Sequence, residues 1–221
     1  RGENEILVRL DNRDNGLIPP GKPLNSLDFC YYGGIYRDVR LIVKSPWHIT
    51  HPILAEKVAG GGVFVSYPKV SAVEAEIDLK CEVANVSGQA EKLVLRYTLN
   101  EVNGLWGKGK PGKRVAEGCL EVALGANEEK DVKASIRVVS PRLWSPDAPH
   151  LYDLRLEVLR AGRVADSETH RIGIRRIEMS KEKGCLINGQ PVRLVGSNRH
   201  MEYPYVGNAL SDRAQWRDIY Q

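Results

Sequence analysis

Residues 73–83 read Val-Glu-Ala-Glu-Ile-Asp-Leu-Lys-Cys-Glu-Val, with an apolar side chain at every second position. This alternation places one row of side chains on the buried face of a sheet. The pattern recurs at residues 93–99, 132–138 and 154–158. Turn-forming residues separate the runs, at residues 85–88, 107–112, 125–127 and 161–162.

The residues between 45 and 177 hold about seven such strand patterns and no convincing helix. This number and spacing of strands predict an immunoglobulin-like β-sandwich, so that the chain as a whole is mainly β. Glutamates alternate with the apolar residues of these strands, for example Glu82 and Glu157. We therefore expect their side chains to face solvent.

Two further blocks flank the sandwich. Residues 1–44 carry strand-like runs at 5–10 and 38–43, and we expect them to be the closing strands of an incomplete domain. Residues 178–221 begin with a hairpin predicted around Asn188-Gly189 and a short strand at 193–196. A helix follows from Ser211, the predicted cap, with Asp212 in its first turn. A strand, a loop and a helix in this order begin a β/α unit.

The composition excludes several classes of protein. Hydrophobic residues make up 42% of the chain and charged residues 27%, which is typical of a globular protein. The net charge of +4 is spread along the chain, so no basic stripe predicts a nucleic-acid partner. No apolar run approaches the roughly 20 residues that a membrane helix needs. The opening residues Arg1-Gly2-Glu3 lack a leader-like apolar segment, so we expect the natural start to lie upstream.

The cysteines predict no metal site, because none of the four has a second cysteine at C-x-x-C spacing. We expect Cys30, Cys81, Cys119 and Cys185 to be buried free thiols, with a Cys81–Cys119 disulfide as the alternative.

Four motifs, in one order along nearly the whole chain, resemble those of family-2 glycoside hydrolases, which include β-galactosidases, β-glucuronidases and β-mannosidases. They are Gly-Gly-Ile-Tyr-Arg-Asp-Val at 33–39, Leu-Trp-Ser-Pro at 143–146 with Pro-His-Leu-Tyr at 149–152, Gly-Ile-Arg-Arg at 173–176, and Leu-Ile-Asn-Gly-Gln-Pro at 186–191 with Gly-Ser-Asn-Arg-His at 196–200. Pro204 and Gly207 after the last motif are closer to the β-galactosidase pattern.

The resemblance implies a domain plan. Residues 1–44 would be the end of a sugar-binding jelly-roll domain, residues 45–177 the immunoglobulin-like sandwich, and residues 178–221 the start of a β/α-barrel catalytic domain. The family hydrolyses glycosides with retention, using two glutamates late in the barrel. Both would lie beyond Gln221, so we expect this chain alone to be inactive.

The resemblance also implies the partners and cofactors. The chain's partners would be the remainder of the barrel and of the sugar-binding domain, a β-galactoside in the intact enzyme, and a second copy if the enzyme is a homo-oligomer. No cofactor is expected in this chain, and any Mg²⁺ or Na⁺ of the intact enzyme would bind outside it.

Three residues are the candidates for sugar contact in the intact enzyme. His200 belongs to the last motif, whose histidine lines the sugar pocket in the family and can donate a hydrogen bond to a hydroxyl. Glu202 could be a pocket residue because it follows a predicted barrel strand, but we favour a solvated loop charge for it. Asp11 could reach the pocket from the sugar-binding domain, but we favour a turn-capping role for it. Arg199 is expected to pair with a carboxylate.

Two other hypotheses remain open from the sequence. The sandwich could be a stand-alone module that binds a carbohydrate or a protein, or it could be an adhesin-type structural domain. The motif around His200 argues against the adhesin, which has no use for a β/α unit. Trp144 and Tyr152 could form a sugar-stacking platform, but we expect both in the core.

Overall fold

The structure is a computed structural model that describes residues 3–18, 21–27, 32–104, 111–200 and 202–220. The chain divides into two compact units. One unit comprises Val43–Leu194, and the other comprises Arg1–Ile42 together with Val195–Gln221.

Two four-stranded antiparallel sheets make up most of the Val43–Leu194 unit. Its strands are β1 (Trp47–Ile49), β2 (Val63–Val70), β3 (Glu74–Asn85), β4 (Glu91–Val102), β5 (Pro111–Leu124), β6 (Glu128–Val139), β7 (Tyr152–Arg160) and β8 (Arg163–Ile172).

In the first sheet, β3 pairs along its whole length with β6, and it also pairs with β2 and, at its end, with β1. The second sheet has the order β5-β4-β7-β8. The prediction of a mainly β chain with a two-sheet sandwich is therefore confirmed.

The core lies between these two sheets and is formed by the alternating rows that the sequence contains. The largest fully buried side chains are Ile49, Ile77, Leu79, Leu93, Leu95, Leu99, Leu124, Ile136, Tyr152, Leu154, Leu156 and Ile174. Val73 was expected to begin the row of β3, but it precedes the strand and is 74% exposed.

Tyr152, at the start of β7, is buried as predicted. Its hydroxyl oxygen accepts a hydrogen bond from the Arg142 backbone N–H at 2.8 Å. The bond satisfies the polar end of an otherwise apolar side chain, as a buried tyrosine requires. It also ties the β6–β7 connection to the core.

The prediction for the cysteines holds for one of the three that the structure describes. Cys81 is buried in the core, which raises the pKa of its thiol to about 12. Cys119 is exposed on β5 and Cys185 is half-buried, contrary to expectation, and all three are free thiols. The Cys81–Cys119 disulfide is therefore not formed. Cys30 lies outside the described residues.

A small third sheet completes this unit, with β9 (Ile177–Ser180), β10 (Gly184–Ile187) and β11 (Gln190–Pro191) in the order β11-β10-β9. The predicted hairpin at Asn188-Gly189 is present, because Ile187 pairs with Gln190 across the two-residue turn. Both turn residues have positive φ, 52° and 79°, as a type I′ turn requires. The strand predicted at 193–196 is absent, since nothing pairs with those residues in the described structure.

The other unit has little regular structure among its described residues. It contains a 3₁₀ turn (Leu24–Ser26) and the helix α1 (Asp212–Tyr220). The predicted cap is confirmed, because Ser211 Oγ accepts a hydrogen bond from the Ala214 N–H at 3.3 Å. The strands predicted at 5–10 and 38–43 are absent. A strand requires a ladder partner, and neither run pairs with another described segment, so Leu7 and Leu41 remain 89% and 82% exposed.

No helix among the described residues has both the length and the apolar character that crossing a bilayer requires.

Candidate functional site

His200 and Glu202 are brought together by the loop that precedes α1. His200 Nδ1 lies 3.3 Å from Glu202 Oε2, so that the two side chains form an ion pair whenever the imidazole is protonated. The His200 side chain is 68% exposed and that of Glu202 is 21% exposed. Glu202 is therefore a half-buried partner of His200, and the imidazole Nε2 edge is the part of the pair that could reach a ligand.

Asp11 is held by its own loop. Its Oδ1 accepts hydrogen bonds from Arg13 N at 3.1 Å and from Arg13 Nε at 2.9 Å. The Arg13 guanidinium keeps the pKa of Asp11 below its usual range. The backbone bond two residues along the chain is that of an aspartate stabilising a turn, which is the role that the sequence favours for this residue. A sugar-binding role for Asp11 would require the carboxylate to exchange Arg13 for the substrate.

Arg199 pairs with a carboxylate, in the manner expected for it. Its Nη2 lies 2.6 Å from Asp218 Oδ2 on α1. Nearby, Arg217 donates a hydrogen bond to the Tyr203 hydroxyl at 2.8 Å. These contacts link the loop that carries His200 to the helix that follows it.

One cluster of charged residues was not foreseen. Lys44 Nζ donates hydrogen bonds to Asp166 Oδ2 at 3.1 Å, to Glu168 and to the carbonyl of Ile49 at 2.8 Å. His170 contacts the other oxygen of Glu168 at 3.1 Å. The spacing Asp-x-Glu-x-His along β8 places the three side chains on one face of a strand, which is the signal that sequence reasoning passed over.

This cluster does contain two converging carboxylates, which a retaining glycosidase also needs. Here, however, a single ammonium group lies against both of them, and the Ile49 N–H occupies Asp166 as well, at 2.9 Å. Burial acts to raise the pKa of Glu168, but hydrogen bonds from His170 and Lys44 together outweigh it and lower the pKa. Glu168 is therefore a poor proton donor, and the cluster fastens β1 to β8.

Two glutamates expected to face solvent are in fact buried, which corrects the sequence prediction. Glu82 is 5% exposed and Glu157 is 7% exposed. Glu82 accepts hydrogen bonds from Lys57 Nζ at 2.5 Å and from Thr50 Oγ1 at 2.8 Å. Both donors belong to the segment from Thr50 to Gly62, which covers Glu82 near the C-terminal end of β3.

Glu157 lies on the outer face of the other sheet, between Arg96 Nε at 2.7 Å and Arg155 Nη2 at 3.0 Å. Burial acts to raise the pKa of both carboxyls, but their cationic partners outweigh it and lower both values. Neither glutamate is available for acid–base chemistry.

Trp144 lies where three of the motifs meet. It was predicted to be a core residue, but the structure shows it half-buried. Its ring packs against Gly173, where an added Cβ would lie 3.0 Å from the ring, and the Arg175 guanidinium lies 5.1 Å from the ring centroid. Gly173 and the Arg175 guanidinium therefore already occupy part of the ring surface that a stacked sugar would contact.

Asn85-Val86-Ser87 has the N-x-S form of a glycosylation sequon. Asn85 is fully buried, and its Nδ2 donates hydrogen bonds to the carbonyls of Gln89 and Gly125, both at 2.7 Å. The side chain that would carry a glycan therefore closes a turn in the folded protein. Trp106, for which neighbouring glycines at 104, 107 and 109 predict an exposed loop position, lies outside the described residues.

Among the described residues, no group of three or more histidine, cysteine, aspartate or glutamate side chains is arranged to hold a metal ion.

Comparison with known proteins gives the family. The model of Glycosyl hydrolases family 2 matches residues 62–175. The beta-galactosidase of Thermoanaerobacter pseudethanolicus is 30% identical over 217 residues, which are 98% of this chain and 26% of that protein. The beta-glucuronidase of Bacteroides fragilis is 29% identical over 220 residues, which are 98% of this chain and 29% of that protein.

Among solved structures, a putative beta-galactosidase from Bacteroides fragilis superposes with a TM-score of 0.80 at 25% identity, over 96% of this chain and 29% of that one. The fold is thus that of a β-sandwich region within a glycosidase. The chain belongs to family 2 of the glycosyl hydrolases, and it spans about a quarter of the length of the curated relatives it matches.

Proposed function

We propose that this chain is the non-catalytic scaffold portion of a retaining β-galactosidase, which in its intact form removes terminal β-galactosides. The observation that carries the proposal is the family match over the sandwich, residues 62–175. The sandwich is the part of the chain with a complete core, and its tyrosine at the start of β7 resembles the tyrosine corner of immunoglobulin-like domains.

The chemistry of the carboxylates supports a scaffold role. Retaining hydrolysis needs one protonated and one ionised carboxyl about 5–5.5 Å apart in a cleft. The buried or converging acids described above are each neutralised by lysine or arginine, and they lie on strands of the sandwich. We therefore place the acid and the nucleophile in the part of the enzyme outside these 221 residues.

A β-glucuronidase is the second candidate. The Bacteroides fragilis beta-glucuronidase matches almost as well as the Thermoanaerobacter beta-galactosidase, at 29% against 30% identity. Pro204 and Gly207 favour the galactosidase. Initial rates of the intact enzyme on an aryl β-galactoside and on the matching aryl β-glucuronide distinguish the two, and we expect the galactoside to be preferred.

Covalent labelling tests the placement of the nucleophile. An activated fluorosugar that traps the glycosyl-enzyme intermediate of retaining β-galactosidases marks one carboxylate. After proteolysis of the labelled intact enzyme, we expect the modified peptide to lie outside residues 1–221. A label on any aspartate or glutamate of this chain contradicts the proposal.

A further inference from the structure

The side chain of Asn188 joins two parts of the chain that are distant in sequence. Its Nδ2 donates a hydrogen bond to the Trp144 carbonyl at 3.0 Å, and its Oδ1 accepts one from the Arg176 N–H at 3.0 Å. The Asn188 backbone N–H also donates to the Arg176 carbonyl, at 2.9 Å. The turn between β10 and β11 is thereby fastened to the β6–β7 connection of the sandwich and to the exit from β8.

The segment that receives these bonds is itself fixed. The backbone N–H of Trp144 donates to the Ile174 carbonyl at 2.9 Å, and the indole ring contacts Gly173 and the Arg175 guanidinium. Ile174 is fully buried in the core. Asn188 therefore attaches the small sheet to a part of the molecule that the core holds in place.

Asparagine meets every requirement of this position, whereas glycine and aspartate each fail at least one of them. The backbone has a φ of +52°, a region in which asparagine and glycine are well tolerated. Glycine would keep that backbone but lose both side-chain bonds. Aspartate would keep the acceptor for the Arg176 N–H but would have no donor for Trp144. A carboxylate oxygen would then face the Trp144 carbonyl oxygen.

We propose that Asn188 is a positioning residue that locks the three-stranded sheet β9–β10–β11 in one orientation on the sandwich. The chain then leaves the Val43–Leu194 unit from a hairpin of fixed direction. The contacts of Asn188 are the evidence for the lock itself. Its role in seating the catalytic part of the enzyme rests on the proposed function.

The test uses the 221-residue chain and four variants, Asn188→Asp, Asn188→Gly, Asn127→Asp and Asn127→Gly. Asn127 is the matched control, because it is exposed, occupies the turn between β5 and β6 and has nearly the same φ, +53°. Residual dipolar couplings report whether the small sheet and the sandwich share one alignment tensor. Amide hydrogen exchange reports how often each sheet opens.

In the wild type we expect one tensor for both sheets. In Asn188→Gly we expect the tensor of β9 and β10 to separate from that of β3 and β7, with exchange about tenfold faster in the small sheet and unchanged in the sandwich. Asn188→Asp should shift the carbonyl resonance of Trp144 and leave the amide resonance of Arg176 nearly in place. Both Asn127 variants should keep the single tensor.

A single tensor and unchanged exchange in Asn188→Gly overturn the proposal. Equal loss of protection in both sheets also overturns it, because that result would make Asn188 a general stability residue. None of these measurements involves sugar hydrolysis, so that failure of the lock and failure of the proposed function are separate outcomes.

Discussion

At the scale of single residues, side chains that face outward on a strand are not necessarily in water. Glu82 and Glu157 occupy the polar positions of strands whose apolar residues alternate as the sequence predicts. It could not reveal that Thr50 and Lys57 cover one carboxylate, or that Arg96 and Arg155 flank the other, because those partners come from other elements. Local periodicity determines the face of a side chain, and tertiary neighbours determine its burial.

Replacing Glu82 by glutamine should destabilise the chain by about 1.5 kcal/mol at pH 7, because a buried charged hydrogen-bonding group is lost. Its stabilisation is fully present above the usual carboxyl pKa of 4.5 and disappears as the pH falls through the lower folded value. The difference between wild type and Glu82→Gln should therefore shrink towards pH 3. Urea unfolding at both pH values measures it.

The control for this substitution is Glu129→Gln. Glu129 also binds Lys57, at 2.7 Å, but its side chain is 41% exposed, so its loss should change the free energy of unfolding by no more than about 0.5 kcal/mol. Equal stability of Glu82→Gln and Glu129→Gln at pH 7 would contradict a stabilising role for the burial of Glu82.

Substitution of His200 is the most direct test of the predicted sugar contact. We expect His200→Ala to lower kcat/KM of the intact enzyme about 100-fold, because it removes a hydrogen-bond donor to the transition state. His51→Ala, in the sandwich unit, is the control and should leave kcat/KM unchanged. Activity of His200→Ala equal to that of wild type would make His200 only the partner of Glu202.

At the scale of elements, strands with a clear alternating pattern and hairpins with a recognisable turn were predictable. The rows of β3, β4, β6 and β7 and the turn at Asn188-Gly189 are examples, since each is determined by residues close together in sequence. The runs at 5–10 and 38–43 had strand composition but form no strand. A strand forms only when another segment pairs with it, and the composition of the run itself does not show whether such a segment is present.

Strands β4 and β5 illustrate packing that no sequence pattern indicates. Gly118 lies opposite Tyr97, and a Cβ on Gly118 would lie 2.4 Å from the tyrosine hydroxyl. Gly118→Ala should therefore displace the ring and cost about 1–3 kcal/mol. Thermal or urea unfolding measures the loss.

Two comparisons isolate the cause of that loss. Gly16→Ala adds the same methyl group where nothing lies within 4 Å, and it should be nearly neutral. Adding Tyr97→Leu to Gly118→Ala should recover part of the stability, because the smaller side chain makes room for the methyl group. Additive losses in the double variant would show that the ring is not the obstacle.

At the scale of the whole molecule, one unit has a complete two-sheet core and the other has few regular elements among its described residues. The candidate site was predictable only as far as the motif around His200 extends. His200 and Glu202 do meet, but Asp11 is bound by Arg13, and the Lys44 cluster joins residues more than 120 positions apart. Contacts between residues so far apart in sequence depend on the folded topology, and local sequence patterns do not predict them.

The most direct test of the scaffold assignment is the turnover of an aryl β-galactoside by the purified 221-residue chain. Because its buried acids are neutralised by cations and the catalytic pair is placed elsewhere, we predict a rate indistinguishable from buffer. The folded state is verified in the same sample by cooperative unfolding. Turnover that is abolished by Glu168→Gln, Glu202→Gln or another single carboxylate substitution in this chain would contradict the account.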